Sequence, residues 1–344
     1  MSALQVHTLT DATMGLWDRF VEGSSAATFF HRAAWKTILE RSFGHRTYFL
    51  YAEQGGEVQG VLPLVHVRSR LFGNSLVSTA FGVYGGPAAE TVAASELLDR
   101  HALAVAERLD VDHVEYRSQK RTRASWACKD SVYATFRRPI SANPDENLRA
   151  VPRKQRAVIR KSLTGRLVAS IDSDTQDFYG VYARSVRNLG TPVFSPAYFR
   201  HLKKAFGDAC EILTVRADGR VVTGVVTFRF RDTVLPFYAG GTPDARKLGA
   251  FDFMYWDVMR RAALAGYRHF DFGRSKRGTG AFAFKTNWGF EPEALCYEYY
   301  LRRGTTVPDL SPLNPKYRIF INLWRWLPLP VANLVGPILA RSLG

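Results

Sequence analysis

An α/β fold built by duplication is what the sequence predicts. Two stretches of about 130 residues repeat one order of elements: helices, a hairpin, a further strand toward glycines, a helix and a strand. A strongly basic helix stands between them.

In the first half, residues 14–50 read as a helix, a helix or loop, and a strand. Thr47–Ala52 and Val58–Val67 are strands joined by the turn Glu53-Gln54-Gly55-Gly56-Glu57, a plausible hairpin. Glycine-rich loops follow at Gly73 and at Gly82–Gly86. Leu97, Leu98, His101, Ala102, Val105 and Leu109 fall at helical spacing over residues 92–109, and Val111–Arg117 is the next strand. The second half answers with helices Asp177–Arg187 and Pro196–Phe206, then strands Glu211–Ala217 and Arg220–Arg229 about the turn Asp218-Gly219. Strand Thr233–Tyr238 runs into Gly240-Gly241, helix Ala250–Ala265 follows, and strand Tyr267–Phe272 closes the cycle.

The 344 residues carry 47 basic and 31 acidic side chains, a formal net charge of +16. That excess favours an anionic partner: RNA, a nucleotide or phosphorylated substrate, or an acidic membrane face. Cys128, Cys210 and Cys296 are odd in number and widely spaced, which implies neither a metal site nor a disulfide framework and fits a reducing compartment. The first residues lack the basic and apolar pattern of a signal peptide, so a cytoplasmic catalytic body is expected.

Asn143-Pro144 reads as a turn and helix cap leading into the helix Pro152–Ser162. Residues 149–166 hold seven basic residues and no acidic one. Arg149, Arg153, Arg156 and Arg160 are spaced to share one helix face, with Lys161 beside them. Like charges crowded this way suit phosphates or carboxylates from elsewhere, against the plainer reading of a solvated face.

A second basic cluster lies at a strand end. Phe270-Asp271-Phe272-Gly273-Arg274-Ser275-Lys276-Arg277-Gly278-Thr279-Gly280 is followed by Phe284-Lys285-Thr286-Asn287-Trp288-Gly289-Phe290. Alternation sends His269 and Asp271 one way and Phe270 and Phe272 the other. The glycines permit a tight loop, and Arg274, Lys276, Arg277 and Lys285 are expected to clamp an anion. Tyr238 is placed to reach the same cleft, and Tyr84 is its counterpart in the first half. The order of residues is neither that of a nucleotide P-loop nor that of the dinucleotide fingerprint. Nothing marks a serine nucleophile, a metal cluster or a carboxylate pair, so positioning and electrostatics are the expected chemistry. Acyl transfer to an amine is such a reaction.

These residues resemble the FemAB-like family, whose members carry two GNAT-type acyltransferase folds in tandem, and within it the branch associated with exosortase and PEP-CTERM exopolysaccharide systems. The likeness rests on Pro152-Arg153-Lys154-Gln155-Arg156…Arg160-Lys161, on the two strand-end motifs, and on element order over residues 5–305. It implies tandem domains at 1–140 and 141–305 with mixed, largely antiparallel sheets, and a tail at 306–344. It implies aminoacyl or acyl transfer to an amine, with aminoacyl-tRNA or acyl-CoA as co-substrate and no tightly bound cofactor or metal. The acceptor it implies is a phosphorylated or lipid-linked saccharide or peptide. Carried across, Arg156, Arg160 and Lys161 contact the anion, and Arg274, Lys276 and Lys285 form the substrate-side clamp; Arg153 and Arg277 join them as substrate-binding residues on the reading of the basic helix and loop. Tyr238, Asp271 and Lys285 stand as the catalytic set, Asp271 as organiser or base, with Tyr84 and Trp288 lining or supporting the site. The chain departs from the classical peptide-bridge enzymes in having room for only one ordinary helix between Tyr182 and Phe206, where they often carry a coiled-coil arm. The other readings are a non-catalytic RNA-binding or membrane scaffold and an acyl-CoA enzyme on a small soluble amine. The last predicts a splayed pair of parallel strands with free N–H groups ready for pyrophosphate, and no membrane contact by the tail.

Ile319 to Ala340 holds a single charge, Arg325, with Trp324, Trp326 and prolines at 328, 330 and 337. The prolines argue against one straight span. The tail is expected to pack on the first domain or to lie at the inner membrane surface.

Overall fold

The computed structural model describes residues 2–69, 73–304, 306–307 and 315–342. Contacts divide the chain into two units, Met1–Val132 with Ala294–Leu310 and Arg341–Gly344, and Tyr133–Glu293 with Ser311–Ala340. The first unit runs β1 (Gln5–Thr8), α1 (Met14–Gly23), α2 (Ala34–Phe43), β2 (Arg46–Gln54), β3 (Glu57–Ser69), β4 (Gly73–Ser78), β5 (Ala88–Ala89), α3 (Val92–Arg108), β6 (His113–Ser118) and β7 (Ala127–Lys129). The second begins with β8 (Tyr133–Thr135), β9 (Arg137–Pro139), α4 (Pro144–Ala150), α5 (Arg153–Leu163), β10 (Leu167–Ile171), α6 (Gln176–Leu189) and α7 (Pro196–Phe206). It continues with β11 (Cys210–Ala217), β12 (Arg220–Phe230), β13 (Thr233–Gly241), α8 (Pro243–Lys247), α9 (Ala250–Leu264), β14 (His269–Asp271), β15 (Ser275–Lys276), α10 (Gly280–Asn287) and β16 (Glu293–Ala294). Strand β17 (Cys296–Leu301) returns to the first sheet, and helices α11 (Pro315–Trp326) and α12 (Leu329–Ala340) follow.

The main sheet of each unit is mixed and mostly antiparallel, and β15, β8 and β16 form a further small sheet. The main sheet of the first unit has the order β1-β2-β3-β4-β6-β17-β7, and that of the second β10-β11-β12-β13-β14-β9. Both hairpins turn through left-handed pairs, Gly55-Gly56 and Asp218-Gly219, as a two-residue turn matched to strand twist requires. Thr91 caps α3 by accepting from the Ala94 N–H, and α3 lays Ala94, Leu98, Ala102 and Val105 on its sheet. Helix α9 does the same in the second unit with Met254, Val258 and Ala262, against Leu213, Val225 and Phe270. The duplication is therefore present element by element: β2, β3, β4, α3 and β6 answer to β11, β12, β13, α9 and β14.

Three expectations need correction. The boundary at residue 140 shifts, because β9 pairs with β14 and β17 pairs with β6. The tail helices group with the second unit, not the first: Gly190 lies against Ile321, Val193 against Gly336, and Arg187 Nη1 donates to the Arg325 carbonyl at 2.9 Å. Cys128 and Cys296, 168 residues apart, are disulfide-bonded within the first unit. That pairing depends on strand neighbours that no local spacing reveals.

Candidate active site

In the second unit, β13 and β14 run parallel but pair only at Thr233↔His269 and Val234↔Phe270. Beyond that point β13 continues to Gly241 along β12 alone. A bulge sets Val226 opposite Tyr238 and Thr227 opposite Pro236, leaving Phe237 as the extra residue. The result is a splay between the end of β13 and the loop after Asp271. Gly240 and Gly241 at its end serve close packing. A Cβ on Gly240 would sit 2.5 Å from the Tyr182 Cα, and one on Gly241 2.6 Å from the Phe251 ring.

The corresponding gap in the first unit is stitched shut. After the last parallel pair, Val77↔Glu115, the Ser78 hydroxyl accepts from the N–H groups of Gly86 and Arg117 at 2.9 and 3.0 Å. The Gly85 N–H donates to the Arg117 carbonyl, and Arg117 Nη1 donates to the Gly82 carbonyl. Thr79 and Phe81 hold left-handed backbone to make this turn. Tyr84 is buried within it, edge-on to Phe30, so it forms part of the first unit's core and does not line an open cleft.

Lys285 is buried, and its ammonium donates to the carbonyls of Phe272, Gly273 and Arg274 at 2.7, 3.0 and 3.1 Å. An ammonium has three protons, and all three are engaged. This overturns its place in an anion clamp. Burial pushes the Lys285 pKa down to about 7, while the Asp271 carboxylate pulls it up and Arg274 lowers it further. Asp271, also buried, accepts from the Gly273 N–H at 2.6 Å. The two residues therefore shape the strand-end loop from opposite sides. Because each peptide carries its N–H opposite its C=O, the dipoles of residues 272–275 point their positive ends away from Lys285. Phe270 and Phe272 lie in the core as alternation requires, and His269 pairs with Asp232.

Tyr238 is half-buried on β13 beyond the paired residues, with its hydroxyl 2.8 Å from that of Tyr198. Burial raises the Tyr198 phenol far above its ordinary range. Arg274 stacks on Tyr133 at 4.6 Å and Arg277 on Phe282 at 5.7 Å. Lys276 is half-buried on β15.

The basic segment is two helices. Val151 and Pro152 are extended, as a residue before proline prefers, and this separates Arg149 from the face of α5. Arg156 Nη1 donates to the Arg149 carbonyl and so caps α4. Arg153, Lys154, Arg160 and Lys161 are exposed and have no ion-pair partner among the described residues. The opposite face, with Ile159 and Ser162 buried, packs on the start of α9: a Cβ on Gly249 would meet Val158 at 3.4 Å.

After β13 the chain runs through the short α8 into α9, whose first turn carries Asp252. Its Oδ1 accepts from Gln155 Nε2 of α5 and, at 2.9 Å, from the indole N–H of Trp288. Burial raises the Asp252 pKa, and those two donors oppose the rise. Trp288 is fully buried in this support and does not line the cleft. Gly289, left-handed, lies against Pro152, where a Cβ would come within 2.9 Å of its ring. The carboxylate that joins α5 to the end of α10 is thus internal. Sequence reasoning missed Asp252, although an acid in a first helical turn is a legible signal. It also assigned nothing to Ser275, whose buried hydroxyl has no hydrogen-bond partner among the described residues.

Residues 147–286 match the family described as an acetyltransferase (GNAT) domain. That stretch includes the splay, α5 and the strand-end loop. The second unit thus has a GNAT-type fold and is similar to that acetyltransferase family over those residues. No curated protein sequence matches the chain. Among solved structures, FemX is similar at a TM-score of 0.70 with 14% identity, covering 92% of this chain and all of that one. A tandem GNAT protein from the clavulanic acid biosynthesis pathway is similar at 0.56 with 13% identity, covering 88% and 100%. The C-terminal domain of a putative lysylphosphatidylglycerol synthetase from Agrobacterium fabrum is similar at 0.57 with 13% identity, covering 85% and 92%. At such identities the likeness is one of fold, and the fold is a tandem pair of GNAT-type units.

Proposed function

We propose that the protein is an N-acyltransferase that moves an aminoacyl group from an RNA ester to an amine on a phosphorylated, lipid-linked precursor of the cell envelope or of an exopolysaccharide. One observation carries the acyltransferase part of this reading, whichever the donor. The strands β13 and β14 part after two paired residues in the unit that matches the GNAT family, while the equivalent gap in the other unit is closed by Ser78 and Arg117. In the reaction the amine nitrogen attacks the acyl carbon, a C–N bond forms, and the C–O ester bond breaks. The amine nitrogen loses a proton as the C–N bond forms and the leaving oxygen takes one; the Tyr238 hydroxyl, hydrogen-bonded to Tyr198, would give its proton to the leaving oxygen and take up the amine's, so that none is consumed. Asp271 and Lys285 act as positioning residues that fix the loop opposite.

The donor assignment rests on one further feature: α5 turns four cations outward that have no ion-pair partner among the described residues. A polyanion suits that face better than a nucleotide does. A second reading, acyl-CoA as donor, is favoured by the acetyltransferase description of the matching family and by the splayed parallel strands that this reading predicts.

The test is filter binding of tRNA across a salt series, with transfer followed by mass spectrometry for aminoacyl-tRNA and for acetyl-CoA. Arg160→Glu with Lys161→Glu is expected to weaken tRNA binding by about tenfold or more and to flatten its salt dependence. Transfer from acetyl-CoA that is indifferent to this variant overturns the RNA reading in favour of the second. Absence of transfer from either donor points to a scaffold.

A further inference from the structure

Helix α12 packs the wrong way round for an ordinary surface helix. It buries Ala332, Gly336 and Ala340, the small residues at four-residue spacing, and Gly336 lies against Val193. Its large apolar stripe, Val331, Leu334, Val335 and Ile338, faces outward, with Leu334 75% and Ile338 60% exposed. Helix α11 behaves alike. Trp324 is buried, while Ile319, Leu323 and Trp326 line the outer side at 74%, 65% and 86% exposure. Two adjacent helices thus present their bulkiest apolar side chains to the outside, an arrangement that marks a covered surface.

We propose that this face docks in the interface of an anionic lipid bilayer. Charge selects the occupant. Beyond Asp309 the sequence holds Lys316, Arg318, Arg325 and Arg341 and no acidic residue, within a chain of net charge +16. A second copy would bring two basic faces together, whereas anionic headgroups complement them. Length sets the depth. Each helix has 12 residues, about 18 Å, against a hydrocarbon core of about 30 Å. No helix among the described residues is long and apolar enough to cross a membrane, so the pair lies in the plane of the surface. Trp326 ends α11 at the Leu327-Pro328 turn, and its ring suits the headgroup level. Helix α6, on which both helices pack, leads through residues 190–195 to Phe194 and Tyr198, next to Tyr238. A lipid-linked acceptor would therefore enter from the docked side. The proposal deepens the function given above, but its test reads binding and not turnover.

The full chain is sedimented with vesicles of phosphatidylcholine alone and of phosphatidylcholine mixed with phosphatidylglycerol. Binding is expected only to the mixed vesicles, weakening with salt. Leu323→Ser, Trp326→Ser and Leu334→Ser combined should weaken it by about tenfold or more, with the melting temperature unchanged because all three side chains are exposed. Arg325→Glu should weaken it separately. Equal binding by the triple variant, or no binding to either vesicle, overturns the proposal. A concentration-dependent dimer of wild type that the triple variant abolishes assigns the face to a second copy and overturns it as well.

Discussion

Lys285 illustrates how far a residue can be read without its partners. Its place beside Phe284 and Trp288 was legible as important, and its charge suggested an anion. The structure gives it three carbonyl oxygens instead. Nothing in the local sequence announces that a loop 11 to 13 residues upstream folds back to present those oxygens. Lys285→Met should therefore act on stability first, by about 3–5 kcal/mol in denaturant unfolding, since it strands three buried acceptors. The pH dependence follows from the depressed pKa. Above about pH 7 the folded state has released this proton, while the unfolded chain keeps it up to about 10.5. The unfolded state then binds more protons, so stability rises with pH across that window, at most roughly 1.4 kcal/mol per unit. Wild type should gain on Lys285→Met between pH 7 and 10 and show no such gain below 7. A difference that stays flat from 6 to 10 would mean the carbonyls hold the ammonium charged throughout.

At the scale of elements, helices and hairpins were readable because their signals are local: Thr91 before α3, Ser195-Pro196 before α7, and the Gly55-Gly56 and Asp218-Gly219 turns. Helix α5 was readable as basic, but its break from Arg149 at Pro152 was underestimated, and its buried face on α9 was not seen. Gly289 joins these elements. It combines a left-handed backbone with a Pro152 ring that leaves no room for a Cβ. Gly289→Ala is expected to cost about 2–4 kcal/mol, combining backbone strain with overpacking. Gly278→Ala shares the left-handed backbone but has nothing within 4 Å of its Cβ. It should cost only about 1 kcal/mol, and thermal melts of the two variants separate the contributions.

Across the whole molecule, the duplication was visible in the order of elements, yet the unequal fate of its two halves was not. Tyr84 and Tyr238 look equivalent in sequence, each just before paired glycines. What separates them is nonlocal. In one unit Ser78 and Arg117 reach across the gap between β4 and β6; in the other, among the described residues, β13 and β14 pair only at Thr233↔His269 and Val234↔Phe270. The swaps of β9 and β17 between sheets escaped for the same reason, since strand partners carry no local mark. Duplication lets one copy keep the splayed cleft while the other converts its own into core. The two halves should then respond oppositely to removal of a hydroxyl. Ser78→Ala leaves two buried N–H groups without an acceptor and is expected to cost about 2–4 kcal/mol of stability while the folded fraction keeps its turnover. Tyr238→Phe should melt within a few degrees of wild type and lose about 100-fold in kcat. If Ser78→Ala lowers kcat of the folded enzyme as much as Tyr238→Phe does, catalysis is shared between the units, and the division of labour argued from the closed gap is wrong.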